Sequence, residues 1–266
     1  MKKEITREES KQIMMAMLND ISEFCDKYNI TYFLAAGTLI GAIRHKGFIP
    51  WDDDIDLEMP RPDYNRFIDL YKDYGTYAIC KPKDSNSVYV YAKVYDATTI
   101  KYEGGVDYSR FTPLGIDIDI FPIDGQPDSI SKFKKQILRR RKIFSYFHSC
   151  ICPTKNKKLL SLAKIFVCRV FGKKFFSDLY VKSATQYSYE SSKMVGFIVP
   201  YVGYDLKHRH HKNVYKDRVK VSFEDGEYWV PIGYDEYLRD IYGDYMNLPP
   251  VEQQKTHHTN NIFWKD

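Results

Sequence analysis

The stretch that decides the fold is "PWDDDIDLEM", residues 50–59. It sets Asp52, Asp53, Asp54 and Asp56 within five positions, with Ile55, Leu57 and Met59 between and after them. A solvated acidic loop has no need of that apolar alternation, and a buried strand does not tolerate lone charges. "DIDLEM" alternates with period two, which predicts a strand. Asp54 and Asp56 then face one side, their Cα atoms about 6.5–7 Å apart. Two adjacent carboxylates repel, and a divalent cation resolves the repulsion. Hard oxygen donors select Mg²⁺ or Mn²⁺, and an ion pair about 3.5–4 Å apart would suit two such ligands. A calcium loop fits poorly. Counting from Asp52, Leu57 falls at the glycine position and Asp63 at the final glutamate position.

Two neighbouring motifs extend this reading. Upstream, "AAGTLIGA" (35–42) places Gly37 and Thr38 where a short strand gives way to a helix. Glycine lets backbone amides approach a ligand, and a helix start favours an anion. The Thr38 hydroxyl could add a bond to a phosphate. Arg44, His45 and Lys46 follow, close to where phosphates would lie. Arg44 suits bidentate phosphate binding, and equally suits the dipole at a helix C-terminus. Downstream, "GIDIDIF" (115–121) puts Asp117 and Asp119 on one strand face, and Ile116, Ile118 and Ile120 on the other. A third carboxylate on a neighbouring strand would complete a metal cage or act as a base. Lys93, in "YAKVYD", is a further phosphate candidate, although a lysine on a strand surface is the commoner arrangement.

The remaining elements follow from pattern. "TREE" (6–9) is a capping box that opens an amphipathic helix. "TYFLAAG" reads as a strand ending at Gly37, and "TLIGAIRHKG" as a helix closed by Gly47. "DYNRFIDLYKDYG" reads as a helix after Pro60 and Pro62. "SVYVYAKVYD" and "TTIKYEG" read as successive strands with a turn near Asp96. "VKVSFEDGEYWVP" reads as a hairpin turning at Asp225-Gly226, "YDEYLRDIYG" as a helix stopped by Gly243, and the tail from Pro249 as irregular. This order predicts an α+β (α/β mixed) fold with a central mixed sheet flanked by helices.

The 266 residues are expected to form one catalytic domain, with a basic helical subdomain at about 129–190 inside it. Between Ser129 and Ser177 there are 14 Lys or Arg and no Asp or Glu, leaving 26 basic against 35 acidic residues elsewhere. That asymmetry predicts contact with a polyanion or an anionic lipid leaflet. Arg139, Arg140 and Arg141 are read as part of that surface, and "LLSLAKIFVCRVFG" as an interfacial helix. No nucleic-acid motif accompanies the charge. The start lacks a signal-peptide pattern, so a cytoplasmic protein, peripheral at the inner face of the plasma membrane, is expected. The five cysteines read as buried thiols. His208, His210 and His211 ("HRHH") read as a solvated loop, and His257 and His258 as residues that close over a nucleotide. Trp51 reads as packing beneath the acids. Tyr89, Tyr91, Tyr95 and Tyr102 are aromatic faces suited to a quaternary ammonium.

The wording of these motifs resembles one family. "GTLIGAIRHKGFIPWDDDIDLEMPRPDYNRF", "DIFPIDG" (119–125) and "YLRDIYGDYMNLPP" (237–250) are similar to the LicD family of phosphocholine transferases, more distantly to fukutin-type proteins, and so to a nucleotidyltransferase-type core. The resemblance runs from about residue 30 to 250. It implies transfer of phosphocholine from CDP-choline to a sugar hydroxyl of a cell-surface glycan precursor, teichoic acid or lipopolysaccharide in type, with CMP leaving. Ribitol or glycerol phosphate are the alternative cargoes. It also implies Asp54 and Asp56 as metal ligands and Asp119 as the later carboxylate, Asp117 standing two residues away. The implied partners are a CDP-alcohol donor, a lipid-linked glycan acceptor and the inner membrane leaflet, with no nucleic acid. Two other readings use the same residues. A nucleotide-sugar glycosyltransferase would bind its donor through Asp-x-Asp, but would not need the Gly-Thr turn. A non-catalytic binding module would hold nucleotide or glycan, but would not need a complete set of carboxylates.

Overall fold

The computed structural model describes residues 3–73, 75–104, 106–152, 159–197, 206–256 and 261–265. The fold is α+β. Helix α1 (Arg7–Lys27) starts at the capping box, where Thr6 Oγ1 accepts from the Glu9 amide and the Glu9 carboxylate accepts from the Thr6 amide. Its apolar face (Met14, Met17, Leu18, Ile21, Cys25) is buried. Strand β1 (Phe33–Leu34) ends before the glycine, because helix α2 (Ala36–Ile40) has already begun there. A π-helical turn, Gly41–His45, continues α2. Lys46, at φ 60°, takes the left-handed conformation expected of Gly47. Gly47 itself has no room for a Cβ beside the Glu224 carboxylate, which accepts from the Phe48 amide at 2.8 Å.

Strand β2 (Asp56–Pro60) leads straight into α3 (Arg61–Leu70), with Pro60 as its N-cap. Strands β3 (Tyr77–Cys80) and β4 (Ala92–Asp96) pair with each other, and β5 (Thr99–Tyr102) follows a turn in which Asp96 accepts from the Thr98 amide. Strand β6 (Asp117–Gln126) is the spine of the main sheet. The order is β1-β2-β6-β4-β3, with β2 and β6 parallel and the other pairs antiparallel. Beyond β6 come β7 (Met194–Gly196) and β8 (His210–His211). The hairpin β9 (Arg218–Phe223) to β10 (Gly226–Pro231) forms as read, and α6 (Tyr234–Tyr242) stops at Gly243, φ 71°.

Three readings change. The two strands on either side of the Asp96 turn form as read, but β4 and β5 do not pair with each other. β5 pairs instead with β11 (Asn261–Trp264), which lies in the tail expected to be irregular. That pairing spans most of the chain and leaves no local trace. Second, His208 and His210 are buried rather than solvated. The His210 ring lies 4.8 Å from that of Tyr237, and its Nδ1 is 2.8 Å from the Asp240 carboxylate. Third, the basic segment forms α4 (Ile130–Ile151) and α5 (Leu159–Ala184), the latter broken at Gly172 (φ 74°). Within it Arg140 is 1% exposed and donates to the Ser183 and Ala184 carbonyls, so it is no surface cation.

The main core lies between the sheet and α1, α3 and α6, and Trp51 packs against it. α4 and α5 enclose a second core, where Phe147, Phe176 and Tyr180 meet Val90 and Phe111. Arg61 at the start of α3 locks onto β6 by a buried bidentate pair with Asp124, at 2.7 and 2.8 Å. Cys25, Cys80, Cys150 and Cys168 are buried free thiols, and Cys152 is partly buried. Among the described residues, no helix is long and apolar enough to cross a membrane.

Candidate active site

Sheet register assembles the site. The parallel pairing of β2 with β6 sets Asp56 opposite Asp119, and the antiparallel pairing of β4 with β6 sets Lys93 opposite Asp119. Asp117 and Asp119 share a strand face, and the Lys93 ammonium reaches both. Its Nζ is 2.8 Å from Asp117 Oδ1 and 2.6 Å from Asp119 Oδ1. β5 brings Lys101, which contacts the other oxygen of Asp117. Just beyond β5 stands Glu103, 3.2 Å from Lys101 and 3.7 Å from Lys93. Tyr89 donates its hydroxyl to Glu103 at 2.7 Å and lays its ring 4.4 Å from the Lys93 ammonium.

Tyr89, Lys93, Lys101, Glu103, Asp117 and Asp119 line a cavity of about 540 Å³, whose wall does not include Asp56, Gly37 or Thr38. Asp53 and Asp54 line it too, from the loop that leads into β2, and Tyr89 and Tyr91 supply aromatic wall. Asp52, Asp53 and Asp54 each offer a carboxylate oxygen within 4.8 Å of the others. Arg7 anchors this loop to the start of α1, donating to the Asp52 carbonyl at 2.7 Å. Across the loop lies Gly37, where a Cβ would stand 2.7 Å from Asp52 Oδ2. A larger residue there would make the Asp52 carboxylate move.

The electrostatics are those of an acidic site short of positive charge. Burial, then Asp54, Asp119 and Asp52, push the Asp56 carboxyl well above the usual range. Burial raises Asp119 to about 6 against the opposing pull of Lys93. Burial also works on Asp117, but Lys101 and Lys93 outweigh it and hold that carboxyl low. Lys93 is desolvated as well, yet Asp117 and Asp119 keep it firmly charged. Along the cavity wall the carboxylates of Glu4, Asp53, Asp54, Glu103, Asp117 and Asp119 face the cations of Arg7, Lys93 and Lys101, and Asp56 adds its carboxyl beside Asp54. Hard oxygen donors in excess, with no sulfur among them, fit a divalent cation of the Mg²⁺ or Mn²⁺ kind.

Lys93, the phosphate candidate, lines the cavity and is buried among the carboxylates rather than lying on a strand surface. Thr38 is buried, and its hydroxyl accepts from the Asp56 amide at 2.9 Å, tying α2 to the acidic strand. Arg44 turns to the segment after α6. It donates to the Tyr245 carbonyl at 2.6 Å, the Asn247 carbonyl at 3.3 Å and the His45 ring at 2.9 Å. Arg44 and His45 therefore stand outside the wall of the cavity, serving the chain turn that the π-helix faces. Tyr95 and Tyr102 are also absent from the wall, leaving Tyr89 and Tyr91 of the four aromatic candidates. His257 and His258 lie outside the described residues.

Comparison with known proteins bears on this arrangement. Residues 29–163 match the family described as LicD/FKTN/FKRP, nucleotidyltransferase domain. Over 272 aligned residues the chain is 32% identical to the lipopolysaccharide cholinephosphotransferase LicD of Haemophilus influenzae, covering 98% of this chain and 99% of that protein. The chain belongs to the LicD family. A shorter stretch of 130 residues is 28% identical to an uncharacterized protein of Rickettsia typhi, covering 37% of this chain and 42% of that one. The family match contains Asp54, Asp56, Lys93, Asp117 and Asp119 and ends within the first turns of α5.

Within this LicD-family site, Lys101, Glu103 and the carboxylates of Asp52 and Asp53 were not singled out by the sequence reading. Asp52 and Asp53 stood in the quoted run. Lys101 and Glu103 join through the position of β5 over β6, which no local pattern encodes. A second network was also missed. Glu58, buried, accepts from Tyr215 and Tyr237, each at 3.1 Å. The Tyr237 hydroxyl in turn accepts from the Ala36 amide at 3.2 Å. Ala36 has φ 46°, a strained value for a residue with a Cβ, and it immediately precedes Gly37.

Proposed function

We propose that this LicD-family chain is a metal-dependent phosphotransferase. It moves phosphocholine from CDP-choline to a sugar hydroxyl of a cell-surface glycan precursor and releases CMP. The observation that carries this reading is the register that sets Asp56 against Asp119, with Asp54 beside Asp56 and with Asp54, Lys93 and Asp119 at the wall of one cavity. The name of the Haemophilus influenzae relative, a lipopolysaccharide cholinephosphotransferase, supports the cargo and the class of acceptor.

In the reaction, the acceptor oxygen forms a bond to the phosphorus that carries choline. The bond from that phosphorus to the bridging oxygen breaks, and CMP leaves with the electron pair. The acceptor proton passes to a carboxylate. Asp117 and Asp119, side by side on the face of β6 that lines the cavity, are the two carboxylates read for that role. Asp54, Asp56 and Asp119 would hold the divalent cation, whose chemistry is to neutralise and position the diphosphate. Lys93 keeps the carboxylates of Asp117 and Asp119 in place and adds positive charge at the cavity wall. Tyr89 and Tyr91 present rings suited to a quaternary ammonium. The acceptor is read as lipid-linked, so the enzyme works in the cytoplasm at the inner face of the plasma membrane.

Thermal unfolding across donors tests the reading, since a ligand that binds the native state raises the melting temperature. CDP-choline with Mg²⁺ should raise it more than CDP-ribitol, CDP-glycerol or UDP-sugars, and removing the metal should shrink the shift. A larger shift with a UDP-sugar would favour glycosyl transfer. A larger shift with CDP-ribitol would change the cargo and keep the chemistry.

A further inference from the structure

Outside the site, the outer face of α5 departs from what a soluble helix presents. Phe166 is 67% exposed, Val170 60% and Phe171 53%, with Ala163 also exposed on the same turns. After the break at Gly172, Phe175 is exposed as well. The inner face is satisfied, since Cys168, Phe176 and Tyr180 fill the second core and Tyr146 stacks on Phe176 at 5.2 Å. The outer rings thus lie beyond a finished core. Arg169 and Lys174 flank them, both exposed. On α4, packed along α5, the exposed side chains include Lys134, Lys135, Leu138, Arg139 and Lys142. Neither helix face carries a carboxylate before Asp178, within a stretch of 14 cations and no acids.

We infer that the outer face of the α4–α5 pair docks on an anionic lipid bilayer, with Phe166, Val170 and Phe171 entering the interface and the surrounding cations meeting the headgroups. This deepens the reading above by naming the surface through which the enzyme meets a lipid-linked acceptor. Two features select a bilayer over other occupants. A second copy of this face would bring like charges together. Single-stranded nucleic acid would use rings for stacking, but Val170 and Leu138 have no ring and are as exposed as the phenylalanines. An apolar strip edged by Lys and Arg is what an interfacial helix needs, burying its apolar side to the level of the headgroups.

The test is flotation of the full chain with vesicles of phosphatidylglycerol and phosphatidylcholine, compared with phosphatidylcholine alone. No donor or acceptor is present, so this result and the phosphotransfer result can fail separately. The wild type should float with the anionic vesicles and not with the neutral ones. A Phe166→Ser, Phe171→Ser double variant should bind on the order of tenfold more weakly or less. Both rings lie outside the second core, so CMP release with a soluble acceptor should be unchanged. A Lys135→Glu, Arg139→Glu variant should lose binding at low salt, where screening is least. No flotation of the wild type would overturn the inference. So would equal flotation of the double serine variant, a dimer in sedimentation that the serines abolish, or tighter binding to single-stranded RNA than to vesicles.

Discussion

Lys93 is the residue around which the site closes, because its ammonium spans Asp117 and Asp119. The two acids differ in their company. Asp117 is held low by two lysines, whereas Asp119 stands higher, opposite Asp56 on the neighbouring strand. Asp119→Ala should therefore reduce CMP release by about 10²-fold or more, while Asp117→Ala leaves measurable turnover. The check is CMP release at saturating donor; a dead Asp117→Ala beside an active Asp119→Ala would reverse the assignment. His208 supports a prediction about pH. Burial drives its pKa from near 6.5 down to about 3. A base depressed in the folded state leaves stability intact above its unfolded pKa and costs stability as pH falls below it. The loss approaches about 1.4 kcal/mol per pH unit. Urea unfolding between pH 7.5 and 5 should show a steeper loss for the wild type than for His208→Gln, and parallel curves would contradict it. The acids of this site were legible because period two marks them on their own strands. Lys93 was not, since its burial depends on β4 lying beside β6, a pairing set by parts of the chain far from "YAKVYD".

Elements explain why the Gly37 turn holds its shape. α6 carries Tyr237 under α2, where its hydroxyl accepts from the Ala36 amide and donates to the buried Glu58 carboxylate on β2. The left-handed Ala36 is thus fixed by a side chain some 200 residues away. Tyr237→Phe removes the acceptor and leaves both partners short of a bond, at a cost of about 1–3 kcal/mol. Beyond that loss of stability, the reading of the Gly37 turn as donor-binding predicts a rise in donor KM with little change in kcat. Circular dichroism with steady-state kinetics checks both, and an unchanged KM in a well-folded variant would limit Tyr237 to a structural role. Helix α1, the 218–231 hairpin and α6 were readable from a capping box, a Gly turn and a Gly stop. β3, β7, β8 and β11 were not, being two to four residues long with partners supplied from elsewhere. Propensity says little about strands that exist through their pairing.

At the scale of the molecule, an acidic body that holds the site carries a basic helical pair, to which the inference above gives the docking role. The charge division was visible in composition alone. Which cations face outward was not, because Arg140 and Lys173 spend theirs on backbone carbonyls of the fold. On the proposal that Asp54, Asp56 and Asp119 hold a divalent cation, chemistry and metal should be inseparable. The most direct measurement follows both products of one incubation, CMP release and choline incorporated into a glycan acceptor, from CDP-choline with Mg²⁺, before and after chelation. Equal amounts of CMP and incorporated choline, lost with chelator and restored by Mg²⁺, are expected. Turnover that persists without any divalent cation, or a protein that releases nothing from CDP-choline while consuming a UDP-sugar, would contradict it.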